Sequence, residues 1–391
     1  MNIDQLRKNT PGCNNVLHLN NAGASLVSQS TLDVQLQYLQ EEAQYGGYET
    51  AFKYADKIES LYSELGKLIN ASPSEIATTD SATTAWERAF FSIPFKNGDE
   101  IISDTTAYAS NYIAYLQAER RFGTKTIVIG VDATGDLDLN ELGNSISNKT
   151  KLISITHIPT NNGIVNPAEE IGSIASRHNI YYLLDACQSA GQYPLDVQKI
   201  KCDFLTATGR KYLRGPRGTG FLFARTKSIK DFEPFNLDLH SAEWTAKDSY
   251  KPRDDARKFE TWESNIAAKL GLANAISELN ALDSGQVWSR IVQLANYMRD
   301  QLTLIEKIQL HDMGKTKCGI ITFNADRITP YQLKESLHSE GINTSVSVKS
   351  GTLIDMKRRN LDAVLRASVH YYNTHEEIDT FVRSIKKIVA K

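Results

Sequence analysis

Apolar residues recur along this chain with two different periods. Residues 29–70 carry them at helical spacing, as Leu32, Val34, Leu36 and Leu39 and then Ile58, Leu61, Leu65 and Leu68. Tyr45-Gly-Gly-Tyr48 interrupts the pattern and reads as a loop. From residue 99 to 183 short apolar runs alternate with helical stretches. The runs Glu100–Ser103, Thr126–Ile129, Lys151–Thr156 and Ile180–Asp185 predict strands, and Tyr108–Phe122, Asp138–Ile146 and Ala168–Arg177 predict the helices between them. Two further runs, Cys202–Ala207 and Gly220–Ala224, bracket a turn rich in Gly, Pro and Arg. Strands alternating with helices argue for an α/β fold with a mostly parallel sheet, whose ligands bind at the carboxyl ends of the strands. Past residue 282 the pattern changes. Ile308–Asp312, Gly319–Phe323 and Ala363–Val369 read as strands, and an amphipathic helix follows Thr374 with Ile378, Phe381, Ile385 and Ile388 on one face.

Composition bounds this picture without changing it. With 391 residues and 41% hydrophobic content, the chain can bury a large core and more than one domain. A net charge of -2 with both signs interspersed argues against nucleic acid or a membrane surface as partner. No run approaches the length of a membrane span, and the first residues lack the apolar core of a signal peptide. Cys13, Cys187, Cys202 and Cys318 are widely spaced and show no metal pattern. The last three lie in or beside apolar runs, where cysteine is usually a small buried hydrophobe. A reducing cytoplasm is the expected setting.

The candidate chemistry gathers at four turns. Lys211 sits in Thr208-Gly-Arg-Lys-Tyr-Leu-Arg-Gly-Pro-Arg-Gly-Thr-Gly220, between two apolar runs. An ammonium there is costly to desolvate, and a lysine held covalently by a cofactor aldehyde avoids that cost. A glycine-rich surface loop with ordinary basic residues is the competing reading. Asp185 ends the run Tyr181–Leu184, where a carboxylate either partners a cofactor or caps the turn that follows. The hydroxyl-rich Thr78-Thr-Asp-Ser-Ala-Thr-Thr84 ends a strand and starts a helix, which makes it either a phosphate site or a segment N-capped by Ser81 or Thr83. Near the amino terminus, Leu17-His-Leu-Asn-Asn-Ala-Gly-Ala-Ser25 reads as a short strand and a small-residue turn. Gly23 there could admit a ligand close to the backbone, or the segment could simply start a helix capped by Ser25 or Ser28.

Asp185-Ala-Cys-Gln188, Thr208-Gly-Arg-Lys211 and Gly215-Pro-Arg-Gly-Thr-Gly220 together resemble the class V aminotransferase family. The resemblance runs from His18 to Thr374 and is nearest the branch of cysteine desulfurases and ergothioneine-pathway C–S lyases. It implies a fold type I pyridoxal-phosphate enzyme. A mostly parallel seven-stranded-type sheet would form a large domain over 21–281, and residues 1–20 with 282–391 a smaller α+β domain. It implies pyridoxal 5'-phosphate as cofactor, no metal, a small amino-acid substrate and a homodimer. By the resemblance, Lys211 holds the cofactor and moves the proton at Cα, Asp185 pairs with the pyridine nitrogen, and Gln188 faces the phenolic oxygen. Ser81, Ala82 and Thr83, with Thr208 and Arg210, would bind the phosphate. Tyr108 would stack on the ring, where desulfurases usually carry His, and Thr160 stands where they carry a cofactor-contacting Asn. Arg366 matches the arginine that clamps the substrate carboxylate, and Gly23 belongs to the substrate side. Two departures bear on the reaction. The stretch Gly341–Gly351 lacks the nucleophilic cysteine of desulfurases, and Glu263 replaces a phosphate-binding Thr, leaving Trp262 and Glu263 to substrate choice or a dimer contact. The expected reaction is therefore β-elimination from a cysteine-derived amino acid without an enzyme persulfide. Transamination and racemisation are the alternatives open to the same residues.

Overall fold

A continuous apolar run becomes a strand when both of its faces are covered, and the central sheet is built from such runs. The computed structural model describes residues 1–390; Lys391, the end of the smaller domain expected from the sequence, lies outside them. The sheet has seven strands. These are β1 (Ile76–Thr79), β2 (Glu100–Asp104), β3 (Lys125–Ile129), β4 (Thr150–Thr156), β5 (Tyr181–Asp185), β6 (Phe204–Thr208) and β7 (Gly220–Ala224). Their spatial order is β1-β7-β6-β5-β4-β2-β3. Only β7 runs against its neighbours, pairing antiparallel with β1 and β6, while the remaining pairs are parallel. Every residue of β6 and β7 is buried. The helices expected between strands are present as α1 (Ala82–Phe91), α2 (Ala109–Phe122) and α3 (Ala168–Arg177), along with a shorter one at Leu139–Asn144.

A second sheet has four strands, β8 (Ile308–Leu310), β9 (Ile320–Ala325), β10 (Ser345–Val348) and β11 (Ala363–Ser368), in the order β8-β9-β11-β10, all antiparallel. The helix His375–Ala390 packs onto it and buries Ile378, Phe381, Ile385 and Ile388. The amino-terminal segment forms a separate two-stranded sheet with the chain just before β10 and reaches the four-stranded sheet through one bridge. Leu17 and His18 run parallel to Ile342 and Asn343, and Asn20 bridges to Ser368.

Three local outcomes differ from the pattern reading. The loop at residues 45–48 shrinks to one residue, Gly46, whose φ of +97° ends Gln29–Tyr45 and lets Gly47–Lys53 begin at once. Leu32, Leu36 and Leu39 share a helical face, but that face is 42–50% exposed and continues into exposed Tyr45, Tyr48 and Phe52. The hairpin formed by Ala242–Ala246 and Ser249–Pro252 gave no apolar signal because it is exposed over almost all its length. Of the two caps weighed for the first long helix, Ser28 is the one used, accepting from the Thr31 amide.

Candidate active site

The carboxyl ends of β1, β4, β5 and β6 open on one cavity, to which Ser81, Thr156, Asp185 and Thr208 contribute. Such a position follows from topology, since parallel strands end together and their loops diverge there. Lys211 reaches the same cavity from the turn that links β6 to β7. Its Nζ lies 3.4 Å from Cys187 Sγ, and burial pushes its pKa below the ordinary lysine value, which favours the neutral amine.

Asp185 is held from two sides. Asn111 Nδ2 donates to Oδ2 at 2.8 Å and the Cys187 amide donates to Oδ1 at 2.9 Å. The second bond is the local capping contact expected as one alternative, so the carboxylate both caps the turn and faces the cavity. Gln188 lines the cavity as well. Its Nε2 donates to the Ala22 carbonyl at 3.1 Å, while Oε1 is buried without a partner. Thr156 Oγ1 is likewise buried, unpartnered and on the cavity wall. A buried polar atom without a partner is costly, and two on one wall point to a polar ligand.

At the far end, Ser81 caps α1 by accepting the Thr84 amide at 3.1 Å. Ala82 and Thr83 then present the free amides of a helix start, a ready anion site. Gly220 lets β7 pass this turn: a Cβ there would sit 2.7 Å from the Ser81 carbonyl carbon and 2.9 Å from the Ala82 nitrogen. Thr208 Oγ1 donates to Thr219 O at 3.3 Å, and Arg210 donates to the Gly23 carbonyl while its own carbonyl accepts the Ser25 amide at 2.9 Å. These contacts fasten the amino-terminal turn onto the lysine loop. Tyr108 stands at the cavity rim immediately before α2, with 43% of its surface exposed.

Two expected residues are not on the cavity wall. Gly23 spends its carbonyl on Arg210, and its missing Cβ leaves room for the Asn20 side chain. Arg366 lies behind Thr160. From the middle of β11 its Nε donates to Ser345 Oγ on the neighbouring β10 at 3.0 Å, and Nη1 donates to the Thr160 carbonyl and hydroxyl at 3.2 and 2.5 Å. Nη2 stands 3.5 Å from Asn20 Oδ1.

The cavity also contains residues that the sequence reading did not select, among them Asp80, Asn111, Thr156, Cys187 and Arg217. Cys187 lies in an apolar stretch but is only half-buried, because the turn after Asp185 carries it to the cavity wall. Cys202 and Cys318 are fully buried, as expected. Trp262 is half-exposed, and Glu263 lines an adjoining cavity with Arg88 and Lys269. Among the described residues there is no cluster of three potential metal ligands, and no helix is long and apolar enough to cross a membrane.

An amine, a fixed carboxylate and a helix start in one cavity suit an aromatic aldehyde that carries a ring nitrogen and a phosphate. Comparison with known proteins agrees. The family model described as aminotransferase class-V matches residues 17–381. A probable cysteine desulfurase of Synechocystis sp. is 29% identical over 390 residues, covering 96% of this chain and 91% of the relative. The apo structure of a cysteine desulfurase from Thermococcus onnurineus NA1 superposes with a TM-score of 0.93 at 25% identity, over 100% of this chain and 99% of that one. A cystine C–S lyase solved with its product cysteine persulfide has the same fold, with a TM-score of 0.87 at 22% identity, over 96% and 99% of the two chains.

Proposed function

The chain belongs to the class V aminotransferase family and is a pyridoxal 5'-phosphate enzyme of fold type I, and we propose that it breaks a carbon–sulfur bond in cysteine or a cysteine-derived amino acid. The observation that carries this reading is the meeting of Lys211, Asp185 and the unpartnered Gln188 oxygen in one cavity. When bound, the cofactor supplies an aldehyde for the substrate amino group and a ring that stores the electron pair left at Cα. Lys211 holds that aldehyde at rest, and its neutral amine then takes the Cα proton. Asp185, fixed by Asn111 and the Cys187 amide, keeps the proton on the ring nitrogen. Ser81, Ala82 and Thr83 receive the phosphate, with donors added by Thr208 and Arg210. Gln188, with its unpartnered Oε1, would face the phenolic oxygen, and Tyr108 would cover the ring. Arg366 binds the substrate carboxylate, and Gly23, whose carbonyl accepts from Arg210, lies on the substrate side.

Within that class the reading is β-elimination. A sulfur leaving group departs from Cβ with its bonding electrons, and the released aminoacrylate hydrolyses to pyruvate and ammonia. No persulfide forms on the protein. The support is that residues 341–351, which include β10, contain no cysteine. Cys318 is fully buried, and burial pushes its thiol up to about 12, far from a thiolate at neutral pH. The desulfurase names of the relatives favour a second reading, in which a protein cysteine takes the sulfur. One assay separates them. The enzyme is given cysteine or a cysteine conjugate without a keto acid, pyruvate is followed over many turnovers, and each cysteine peptide is weighed for added sulfur. Steady pyruvate with unmodified peptides is the expected result, whereas sulfur retained on one peptide establishes the desulfurase. A single turnover restarted by a keto acid would establish an aminotransferase instead.

The exposed apolar face of Leu32, Leu36, Leu39, Tyr48 and Phe52 supports a homodimer. Four free cysteines support a reducing, cytoplasmic setting. The pairing of Leu17 and His18 with Ile342 and Asn343, and the bridge from Asn20 to Ser368, support grouping 1–20 with 282–391 as the smaller domain and 21–281 as the larger.

A further inference from the structure

We propose that Cys187 is a positioning residue for the reactive amine: its sulfur accepts one N–H of Lys211 and leaves the nitrogen lone pair free. The inference rests on the role given to Lys211 above. Cys187 touches both anchors of the site. Its amide donates to Asp185 Oδ1 at 2.9 Å, and its Sγ lies 3.4 Å from Lys211 Nζ. A residue in contact with the acid at one end and the amine at the other lies alongside whatever ring spans them. The same wall carries Gln188 Oε1 and Thr156 Oγ1, unpartnered on residues only 3% and 6% exposed, so this part of the cavity is built for a polar ligand.

Only the unprotonated amine attacks an aldehyde. The charged groups that face Lys211 are Asp185, Arg210 and Arg366, of opposing sign. Burial, the largest influence on both partners, lowers the Lys211 amine and raises the Cys187 thiol. Both directions favour the neutral pair, and a neutral amine beside a neutral thiol can give an N–H to sulfur without giving up its lone pair. A hydroxyl at this position would serve the same purpose and a methyl would not. A carboxylate would hold the amine protonated.

The test uses the full chain freed of cofactor and then mixed with pyridoxal 5'-phosphate. Loading is followed by visible absorption and by borohydride fixation to the peptide that contains Lys211. Cys187→Ala should load more slowly, by about two- to tenfold for one lost hydrogen bond. Cys187→Ser should recover most of that rate. Cys187→Asp should load slowest and shift the pH dependence of loading upward, because the acid stabilises the ammonium. Iodoacetamide should alkylate Cys187 in the cofactor-free chain and spare it in the loaded one, with Cys13 reacting equally in both. Equal loading rates and pH profiles for wild type and Cys187→Ala overturn the proposal. So does a Ser variant as slow as Ala, or equal alkylation of Cys187 in both states, a measurement that needs no variant to fold. Fixation of wild type at another lysine would instead overturn the role assigned to Lys211.

Discussion

Lys211, on the cavity wall, and Arg366, behind Thr160, are two basic groups that the protein holds in opposite ways. Lys211 has one soft partner, the Cys187 sulfur, and burial shifts it toward the neutral amine. Arg366 is 8% exposed and cannot do the same at any ordinary pH, so its burial is met by neighbours that occupy its donors. Ser345, Thr160 and Asn20 surround the guanidinium, and a strand on each side fixes its backbone. A reactive amine is thus kept nearly alone, and a recognition group is kept in company. A carboxylate that binds Arg366 has to replace a neutral partner, so its gain is the difference between a charge-assisted bond and the one lost.

The largest effect expected from this comparison is at Lys211. Lys211→Ala should remove borohydride fixation of the cofactor and lower turnover by at least about 10³-fold, toward the upper range for loss of a positioned proton-transfer group. Turnover within tenfold of wild type would show that another base moves the Cα proton. Arg366→Lys should act on the other half alone. It keeps a charge but loses the planar fork, so substrate binding should weaken by about tenfold or more while the cofactor absorption stays unchanged. An altered absorption with unaltered binding would reverse the assignment and put Arg366 with the cofactor.

The same division explains what could be read from the sequence. The Lys211 half is local: a glycine-rich turn between two apolar strands, an acid at a strand end and hydroxyls at a helix start each announce themselves within a dozen residues. Gly220 shows the limit of that reading: the close pass of β7 over Ser81, which tolerates no side chain, appears only in the fold. The rest depends on contacts across long stretches of chain. Asn111 lies within the first turn of α2 and meets Asp185 only once the strands are ordered. Cys187 was read from its apolar neighbours, but the turn after β5 brings it to the cavity wall. β10 was missed because Ser345-Val-Ser-Val348 offers too few apolar positions to stand out, although Arg366 leans on it. The exposed helix face at Leu32, Leu36 and Leu39 has the period of a core helix, and period alone does not say what covers a face.

Thr160 decides where the boundary between the two halves runs. By resemblance it occupies the place of a cofactor-contacting Asn, and it does line the cavity. Its oxygens, however, are spent on Arg366: the hydroxyl accepts Nη1 at 2.5 Å and the carbonyl at 3.2 Å. A hydroxyl serving mainly as acceptor for a guanidinium orients that guanidinium and leaves little for a cofactor oxygen. Thr160→Val keeps the volume and the β-branch and removes only the hydroxyl, while the backbone carbonyl still holds Nη1. The loss is then one hydrogen bond out of several, so KM should rise by about two- to fivefold. Cofactor absorption and the rate of cofactor loading should both stay at the wild-type values. If KM is unchanged and the absorption or loading shifts instead, Thr160 belongs with Lys211, and Arg366 is held by Ser345 and the Thr160 backbone alone. If both change together, the hydroxyl couples the halves, and a Thr160→Val/Arg366→Lys double variant should lose less than the two single effects combined.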